Sequence, residues 1–200
     1  MLMSCNEKDI SLIGFMGCGK SSVGKILASL LPDCHLIDLD TYIEEKQGKN
    51  IPEIFNEYGE AAFRRMEREA LEEIFSDPDR PRAILSLGGG TVTSGQCRQL
   101  IRRHTDCFYL RATTDTLLDN LEGHSDGRPM LNPTQPVEAQ STETSSEREA
   151  LRHRIESLMQ TRSPQYLATA NHIIDINGQT FAQIAEIIKE AVEDNILNIK

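Results

Sequence analysis

The chain has 200 residues, 38% of them apolar and 26% charged, proportions that exclude a disordered chain and suit one globular domain with a buried core. The formal net charge of -10 excludes the strongly basic proteins that bind nucleic acid or anionic membranes by bulk attraction. No run of 18 apolar residues offers a membrane span, and any anionic ligand must be held by a local positive site.

Five short apolar runs predict buried strands. Each is flanked by glycine, charged or turn residues, a pattern typical of strands in a parallel sheet. In chain order the predicted strands are Ser11–Phe15, His35–Leu39, Ala83–Leu87, Cys107–Leu110 and Ile173–Ile176.

Helical patterns separate these strands, with apolar residues recurring on one face. The predicted helices are Lys20–Leu31, Thr41–Lys46, Ile51–Tyr58, Glu60–Phe75, Ser94–Arg103, Thr114–Leu121, Glu147–Gln160, Ser163–Ala170 and Phe181–Ile196. The alternation predicts an α/β fold of three layers, with a central five-stranded parallel sheet, right-handed crossovers and helices on both faces. Residues 1–200 would form one domain, and the polar stretch Asn132–Glu149, which has no apolar period, would be a mobile loop.

Cysteine usage and the first residues suggest a compartment. The five cysteines are an odd number with no CxxC spacing, which favours free thiols in a reducing environment over disulfides or a zinc site. Met1–Asp9 is polar and lacks the apolar stretch of a signal peptide. We therefore expect a cytoplasmic protein.

The first predicted strand runs into a phosphate-binding motif. Gly14-Phe-Met-Gly17-Cys18-Gly19-Lys20-Ser21 matches GxxxxGK[ST] and is followed by an amphipathic helix. In such a loop the backbone amides of Gly17, Cys18, Gly19 and Ser22 point at one anion, and the helix start adds its positive end. Lys20 would reach the β- and γ-phosphates of ATP, and the Ser21 hydroxyl would ligate Mg²⁺. The alternative is a chance glycine-rich turn.

Two acids follow the second predicted strand. A P-loop protein usually holds Mg²⁺ with an Asp at the end of another strand, but Ala83–Leu87 ends in glycines. Asp38 and Asp40 alternate along an extended strand and would face the same side. One could serve Mg²⁺ and the other an acceptor hydroxyl. The alternative for Asp40 is the N-cap of the helix Thr41–Lys46.

Three consecutive glycines, Gly88, Gly89 and Gly90, follow the third predicted strand. A triple glycine costs backbone entropy and suits a place where the backbone must approach a ligand closely. The alternative is a flexible turn.

Taken together, these segments resemble the shikimate kinase family in order and spacing, from about Ile10 to Ile176. The phosphate loop alone is widespread, whereas the ordered series is far more specific. The segments are Gly14–Ser22, Asp38-Leu-Asp40, Ile51-Pro-Glu-Ile-Phe55, Gly59-Glu60, Phe63-Arg64-Arg65-Met66-Glu67, Leu87-Gly88-Gly89-Gly90, Arg128-Pro129-Met130-Leu131 and Arg162-Ser-Pro-Gln-Tyr166.

The resemblance implies a P-loop kinase that transfers the γ-phosphate of ATP, with Mg²⁺, to the 3-hydroxyl of shikimate, and we expect a monomer. It assigns shikimate to Asp40, Arg64, Gly88, Gly89, Gly90 and Arg162, and it implies a substrate-binding helical segment at about 40–68.

The resemblance also implies a role for each side chain. Arg64 and Arg162 would clamp the carboxylate, with Glu67 orienting Arg64. Asp38 would hold Mg²⁺ through water, and Lys20, Asp40 and Arg128 would be catalytic. Without the resemblance, the three arginines read equally well as surface or loop charges.

The chain departs from the family pattern in two places. The arginine that usually packs on adenine shortly before the RPxL lid motif has no counterpart, because residues 117–127 contain no arginine. The stretch between Arg128 and Arg162 is also longer than usual, so the lid, at about 122–150, would be extended and mobile. Cys18 could be an oxidation-sensitive thiol, or simply a small residue filling a tight turn.

Other families share parts of this pattern. Gluconate kinases and nucleoside monophosphate kinases have the phosphate loop and lid without the combined aspartate pair and triple glycine. A guanine nucleotide switch would need an NKxD motif, which the chain lacks. An inactive paralogue serving as an interaction module is disfavoured by the retained Lys20, Ser21, aspartates and clamp arginines.

Overall fold

A computed structural model describes residues 8–121 and 143–197. Its strands are β1 (Asp9–Ile13), β2 (Cys34–Asp38), β3 (Arg82–Ser86), β4 (Thr105–Arg111) and β5 (His172–Asp175). All pairings are parallel and the order across the sheet is β2-β3-β1-β4-β5. The predicted five-stranded parallel sheet is confirmed.

Each strand begins one or two residues earlier than predicted. The reason is clearest at Asp9, a charged residue that the apolar pattern excluded from β1. Asp9 is buried because it forms an ion pair with Arg80 and accepts a 2.8 Å hydrogen bond from the backbone N–H of Ala83. A paired carboxylate can therefore start a buried strand.

The helices cover both faces of the sheet and confirm most of the predicted segments. They are α1 (Lys20–Leu30), α2 (Leu39–Gln47), α3 (Ile51–Ser76), α4 (Gly95–His104), α5 (Thr114–Leu121), α6 (Glu143–Thr169) and α7 (Phe181–Leu197). Gly59, at φ 76° and ψ 170°, interrupts α3 and separates the two segments predicted there. None of the helices in the described ranges is long and apolar enough to cross a membrane.

Two predictions about α6 are wrong. It is one continuous helix with Pro164 inside, not two helices, and its first residues, from Glu143 to Glu149, are helical and not part of a loop. Proline usually breaks a helix because it removes a hydrogen bond and crowds the preceding turn. Here Arg162 and Tyr166 on either side of Pro164 are buried and bonded to the backbone of Gly89, so tertiary contacts hold the segment helical.

Successive side chains along each strand point to opposite faces of the sheet and contribute to two apolar clusters, one on each face. One cluster joins Ile10 and Leu12 of β1 to residues of α1, α5 and α7, such as Leu27 and Ile188. The other joins Ile13 to residues of α2, α3 and α4, among them Leu71. This is the predicted three-layer architecture, and it fixes the carboxyl ends of β1, β2 and β3 beside one another.

The phosphate loop lies between β1 and α1. Gly19, at φ 88°, is the N-cap of α1, in a left-handed conformation that favours glycine. Glycine is required there for a second reason, since a Cβ would lie 2.5 Å from Cε1 of Phe181. The ring of Phe181, the first residue of α7, therefore packs directly on the loop.

Candidate active site

A cavity of about 470 Å³ opens at the carboxyl end of β1, β2 and β3. This is the edge at which ligands bind in parallel α/β sheets. The predicted site residues that line it are Gly17, Gly19, Lys20, Ser21, Ser22, Asp38, Asp40, Gly88 and Gly89.

Lys20 is buried and lies at the floor of the phosphate loop. Its ammonium donates 3.0 Å hydrogen bonds to the carbonyl oxygens of Gly14 and Phe15. The positive charge is thus held inside the loop, next to the start of α1. A negatively charged group in the cavity would meet both the ammonium and the free amides of the helix end.

Ser21 and Asp38 meet across the gap between α1 and β2. The Ser21 hydroxyl donates a 2.6 Å hydrogen bond to Oδ2 of Asp38 and lies 3.1 Å from the hydroxyl of Ser86, at the end of β3. Hard oxygen donors of this kind suit Mg²⁺, which takes few protein ligands and keeps several waters. The residues present therefore fit the ion.

The strand alternation expected for Asp38 and Asp40 is wrong, because β2 ends at Asp38 and Asp40 lies in the first turn of α2. The N-cap alternative for Asp40 is also wrong. Asp38 is the N-cap, and its Oδ1 accepts hydrogen bonds from the backbone N–H groups of Asp40 and Thr41. A cap and the first helical turn nevertheless direct both carboxylates into the same cavity.

Asp40 has the burial and hydrogen-bonding features of a ligand-binding carboxylate. Its Oδ1 is buried and has no hydrogen-bond partner among the described residues. Burial, with a smaller contribution from the neighbouring carboxylates of Glu67 and Asp38, raises the pKa of Asp40 to about 6, while Lys20 opposes the rise. A buried acceptor without a donor is costly unless a ligand supplies one, so Asp40 is suited to bind a hydroxyl.

Arg64 is oriented by a buried carboxylate, as expected from the resemblance. Its Nη1 donates a 2.7 Å hydrogen bond to Oε2 of Glu67, which is fully buried, and its Nη2 donates to Glu60 at 2.9 Å. The Nε of Arg64 is buried and unpartnered within the described residues. The guanidinium therefore retains donor capacity for a ligand.

The triple glycine and Arg162 lie against this group. A Cβ on Gly90 would lie 2.3 Å from Nη2 of Arg64, so only glycine leaves the guanidinium its position. Arg162 is buried and donates from Nη1 to the carbonyl oxygen of Gly89 at 3.4 Å. Burial raises the pKa of Glu67, and the positive charges of Arg64 and Arg162 oppose that rise. Arg64 is thus hydrogen-bonded to the buried carboxylate, and Arg162 adds a weaker electrostatic effect.

Two residues of this cluster had no assigned role in the sequence. Tyr166 is buried and its hydroxyl donates to the carbonyl oxygen of Gly89. Its position in the segment from Arg162 to Tyr166 was a usable signal, because that segment belongs to the family pattern. Thr91, whose hydroxyl donates to Glu67, gave no comparable signal in the sequence.

Among the described residues, four that were predicted for the site do not line this cavity: Cys18, Arg64, Gly90 and Arg162. Cys18 is fully buried, with its sulfur 2.8 Å from a Cβ built on Gly14. This burial favours the packing interpretation over an oxidation-sensitive thiol. Arg128 and most of the predicted lid, 122–142, lie outside the described residues.

A second cavity of about 450 Å³ adjoins the first, and Asn120 and Phe181 line both. Its other residues come from α5, from α7 and from the loop after β5, and include Thr116, Ile176 and Thr180. Asn120 also donates a 2.9 Å hydrogen bond to the carbonyl oxygen of Gly17. A ligand longer than a phosphate group could therefore extend from the first cavity into the second.

Known proteins resemble the chain over nearly its whole length. A curated shikimate kinase from Thermus thermophilus is 35% identical over 184 residues, covering 92% of this chain and 88% of that protein. The solved structure of "Shikimate kinase from Acinetobacter baumannii in complex with shikimate" is 29% identical, covers 94% of each chain and superimposes with a TM-score of 0.78.

A gluconokinase from Sinorhizobium meliloti superimposes with a TM-score of 0.56 at 14% identity, which shows a shared fold alone. The family model for shikimate kinase, in contrast, matches residues 16–193. The prediction of a P-loop kinase of this family is confirmed. The chain belongs to the shikimate kinase family.

Proposed function

We propose that this chain transfers the γ-phosphate of ATP, in the presence of Mg²⁺, to the 3-hydroxyl of shikimate. The observation that carries the proposal is that a phosphate loop with a buried Lys20 and the unpartnered Oδ1 of Asp40 line one cavity. A donor site for phosphate and an acceptor for a hydroxyl hydrogen are the two parts that a kinase must bring together.

The nucleotide end of the site is assigned to the phosphate loop. Lys20 and the amides at the start of α1 would bind the phosphates, with Gly17, Cys18, Gly19 and Ser22 contributing backbone groups. We assign the base to the second cavity, against the exposed face of Phe181, because that cavity continues from the loop. This contact would replace the missing adenine arginine.

Magnesium would be held by Ser21 directly and by Asp38, which lie 2.6 Å apart at the edge of the cavity. The bound ion would neutralise charge on the β- and γ-phosphates. Of the chain's own residues, Lys20 would hold the phosphates in place. The N-caps of α1 and α2, which are Gly19 and Asp38, would set the distance between the phosphate loop and the acceptor site.

Shikimate is assigned to the cluster around the triple glycine. Its carboxylate suits the guanidinium groups of Arg64 and Arg162, since a planar fork binds carboxylate well. A hydroxyl of the ring would donate to Asp40, the buried acceptor that lacks a donor. The solved relative from Acinetobacter baumannii, described as a complex with shikimate, supports this choice of acceptor.

Three further parts of the proposal follow from the family pattern. Arg128 would reach the transferred phosphate, and the part of the predicted lid that precedes α6, 122–142, would close over the reactants and exclude water. We also propose that the protein acts as a cytoplasmic monomer.

A coupled ADP-release assay with and without shikimate tests the proposal. We expect ADP release to depend on shikimate and to fall at least about a hundredfold in Asp40→Asn and Arg64→Ala. Asp33→Asn and Arg65→Ala, two exposed positions near them in sequence, are the matched controls and keep wild-type turnover. Unchanged turnover in both site variants, or faster turnover with gluconate than with shikimate, would contradict the assignment.

A further inference from the structure

One buried hydroxyl beside the substrate site has no part in the proposed function. Thr91 follows the triple glycine and begins a short 3₁₀ turn, Thr91–Thr93, with its backbone N–H bonded to the carbonyl oxygen of Gly88. Its side chain is fully buried and its hydroxyl donates to Oε1 of Glu67. The other oxygen, Oε2, accepts from Arg64. Glu67 is thus held from both sides.

Three side-chain oxygens converge on Gly88. A Cβ built there would lie 3.0 Å from Oδ1 of Asp40, 3.0 Å from Oε1 of Glu67 and 3.1 Å from Oγ1 of Thr91. Of these three groups, the Thr91 hydroxyl is the one that carries a proton to donate in every ionisation state. That proton is directed to Glu67, and Oδ1 of Asp40 is left without a partner among the described residues.

We propose that Thr91 is a positioning residue for the acceptor: its hydroxyl donates to Oε1 of Glu67 and holds that side chain in place, so that Arg64 stays oriented and Oδ1 of Asp40 stays open to the substrate hydroxyl. This inference rests on the proposed function, because it takes Arg64 and Asp40 as the acceptor's binding groups. Thr91, the residue after the triple glycine, would then help to set the affinity for the acceptor.

The Thr91 hydroxyl contributes to the electrostatic environment of Glu67. Burial raises the pKa of Glu67, whereas Arg64, the Thr91 hydroxyl and Arg162 lower it. Within the described part of the chain, Asp40 of α2 and the buried thiol of Cys97 in α4 also lie within electrostatic reach of Glu67. Without the hydroxyl, Oε1 would be a buried acceptor with no donor, and the carboxyl group would take up a proton at higher pH. A neutral Glu67 holds Arg64 less firmly.

Three variants separate this role from simple packing. Thr91→Val removes the hydroxyl and keeps the volume, whereas Thr91→Ser keeps the hydroxyl and removes the methyl group. Thr105→Val removes an equally buried hydroxyl at the opposite end of the sheet, where Thr105 is bonded to Ser11 and to the carbonyl oxygen of Ile101. It controls for the loss of stability that any such change brings.

The measurements are the Kd of shikimate by calorimetry at about pH 6.5 and about pH 8.5, the KM of ATP, and thermal unfolding. For Thr91→Val we expect the Kd of shikimate to rise about tenfold or more, with the larger rise at the lower pH, while the KM of ATP changes less than about twofold. Thr91→Ser should bind like wild type, and Thr105→Val should lose stability without losing affinity.

An unchanged Kd in Thr91→Val, or an equal loss in Thr91→Ser, would overturn the inference. If Thr91→Val does not fold, Thr91→Ala takes its place in the comparison with Thr91→Ser. A wild-type enzyme that phosphorylates another acceptor in place of shikimate would overturn the proposed function instead. The same variants, measured with that acceptor, would then still decide the role of Thr91.

Discussion

The hydroxyl of Ser21 and the carboxylate of Asp38 lie 2.6 Å apart, although 17 residues separate them in the chain. Ser21 is in the first turn of α1 and Asp38 ends β2 while capping α2. Each side chain is fixed by its place at the end of an element. The pair therefore forms a preorganised oxygen site at the mouth of the phosphate loop.

If this pair holds Mg²⁺, Ser21→Ala and Asp38→Asn will each raise the Mg²⁺ concentration needed for half-maximal turnover, by about tenfold or more. Ser21→Ala removes one oxygen ligand and Asp38→Asn removes a negative charge, so each variant binds Mg²⁺ more weakly without losing the site. A Mg²⁺ titration at saturating ATP and shikimate measures the change. Ser29→Ala, exposed on the same helix, is the control, and Mg²⁺ curves that coincide for all variants would remove the metal assignment.

The pKa of Asp40, raised by burial to about 6, predicts the acid side of the pH profile. Asp40 must be ionised to take a proton from the acceptor, and its ionised form also accepts the stronger hydrogen bond, so kcat/KM for shikimate will rise with pH, with a midpoint near 6 in the free enzyme. Asp40→Asn will abolish this step along with most activity. A wild-type profile that stays flat between pH 5 and 7, measured at about 0.15 M ionic strength, would exclude Asp40 from this role.

The same shift predicts a gain in stability when Asp40 is neutralised. Its pKa is about 6 in the folded chain and 3.8 in the unfolded chain, so the folded state binds more protons between these values and loses stability as pH rises through 6. Asp40→Asn mimics the protonated group. Its free energy of unfolding should exceed that of wild type by about 1–3 kcal/mol near pH 8.

That advantage should vanish towards pH 4, where Asp40 in the wild-type protein is protonated. Denaturant unfolding of both proteins at the two pH values measures it. Asp33→Asn, at an exposed site, is the matched control. A variant less stable than wild type near pH 8 would contradict the burial argument.

Phe181 gives a prediction for the nucleotide base. Phe181→Ala should raise the KM of ATP about tenfold, because stacking of a base on an aromatic ring contributes about 1–3 kcal/mol, while the KM of shikimate stays unchanged. Phe181→Tyr should preserve the KM of ATP. Ile187→Ala, also exposed on α7, serves as the control. An unaltered KM for ATP in Phe181→Ala would place the base elsewhere.

The sequence predicted the sheet and the phosphate loop well because their signals are local. A buried apolar run and a loop of fixed glycine spacing need only neighbouring residues to be recognised. Asp38 and Asp40 show the limit of such local signals. Their shared orientation was expected from strand alternation, but it comes from a helix cap. Whether a helix begins at residue 39 or 41 depends on packing that a short polar segment does not reveal.

The cluster around Glu67 was accessible only through the family resemblance. Arg64 and Arg65 are adjacent and chemically identical, and periodicity alone does not say which faces the triple glycine. Thr91 and Tyr166 act through contacts with residues 24 and 77 positions away in the chain. Such long-range polar contacts leave no trace in local composition.

The bonds of Lys20 to the carbonyl oxygens of Gly14 and Phe15 have a consequence for nucleotide affinity. A long flexible side chain ordinarily loses much rotational freedom when it grips a ligand. The Lys20 side chain has already lost that freedom on folding, so its ammonium is in place before the phosphate binds. The entropic penalty of capturing the nucleotide is thereby shifted from the encounter to the assembly of the fold.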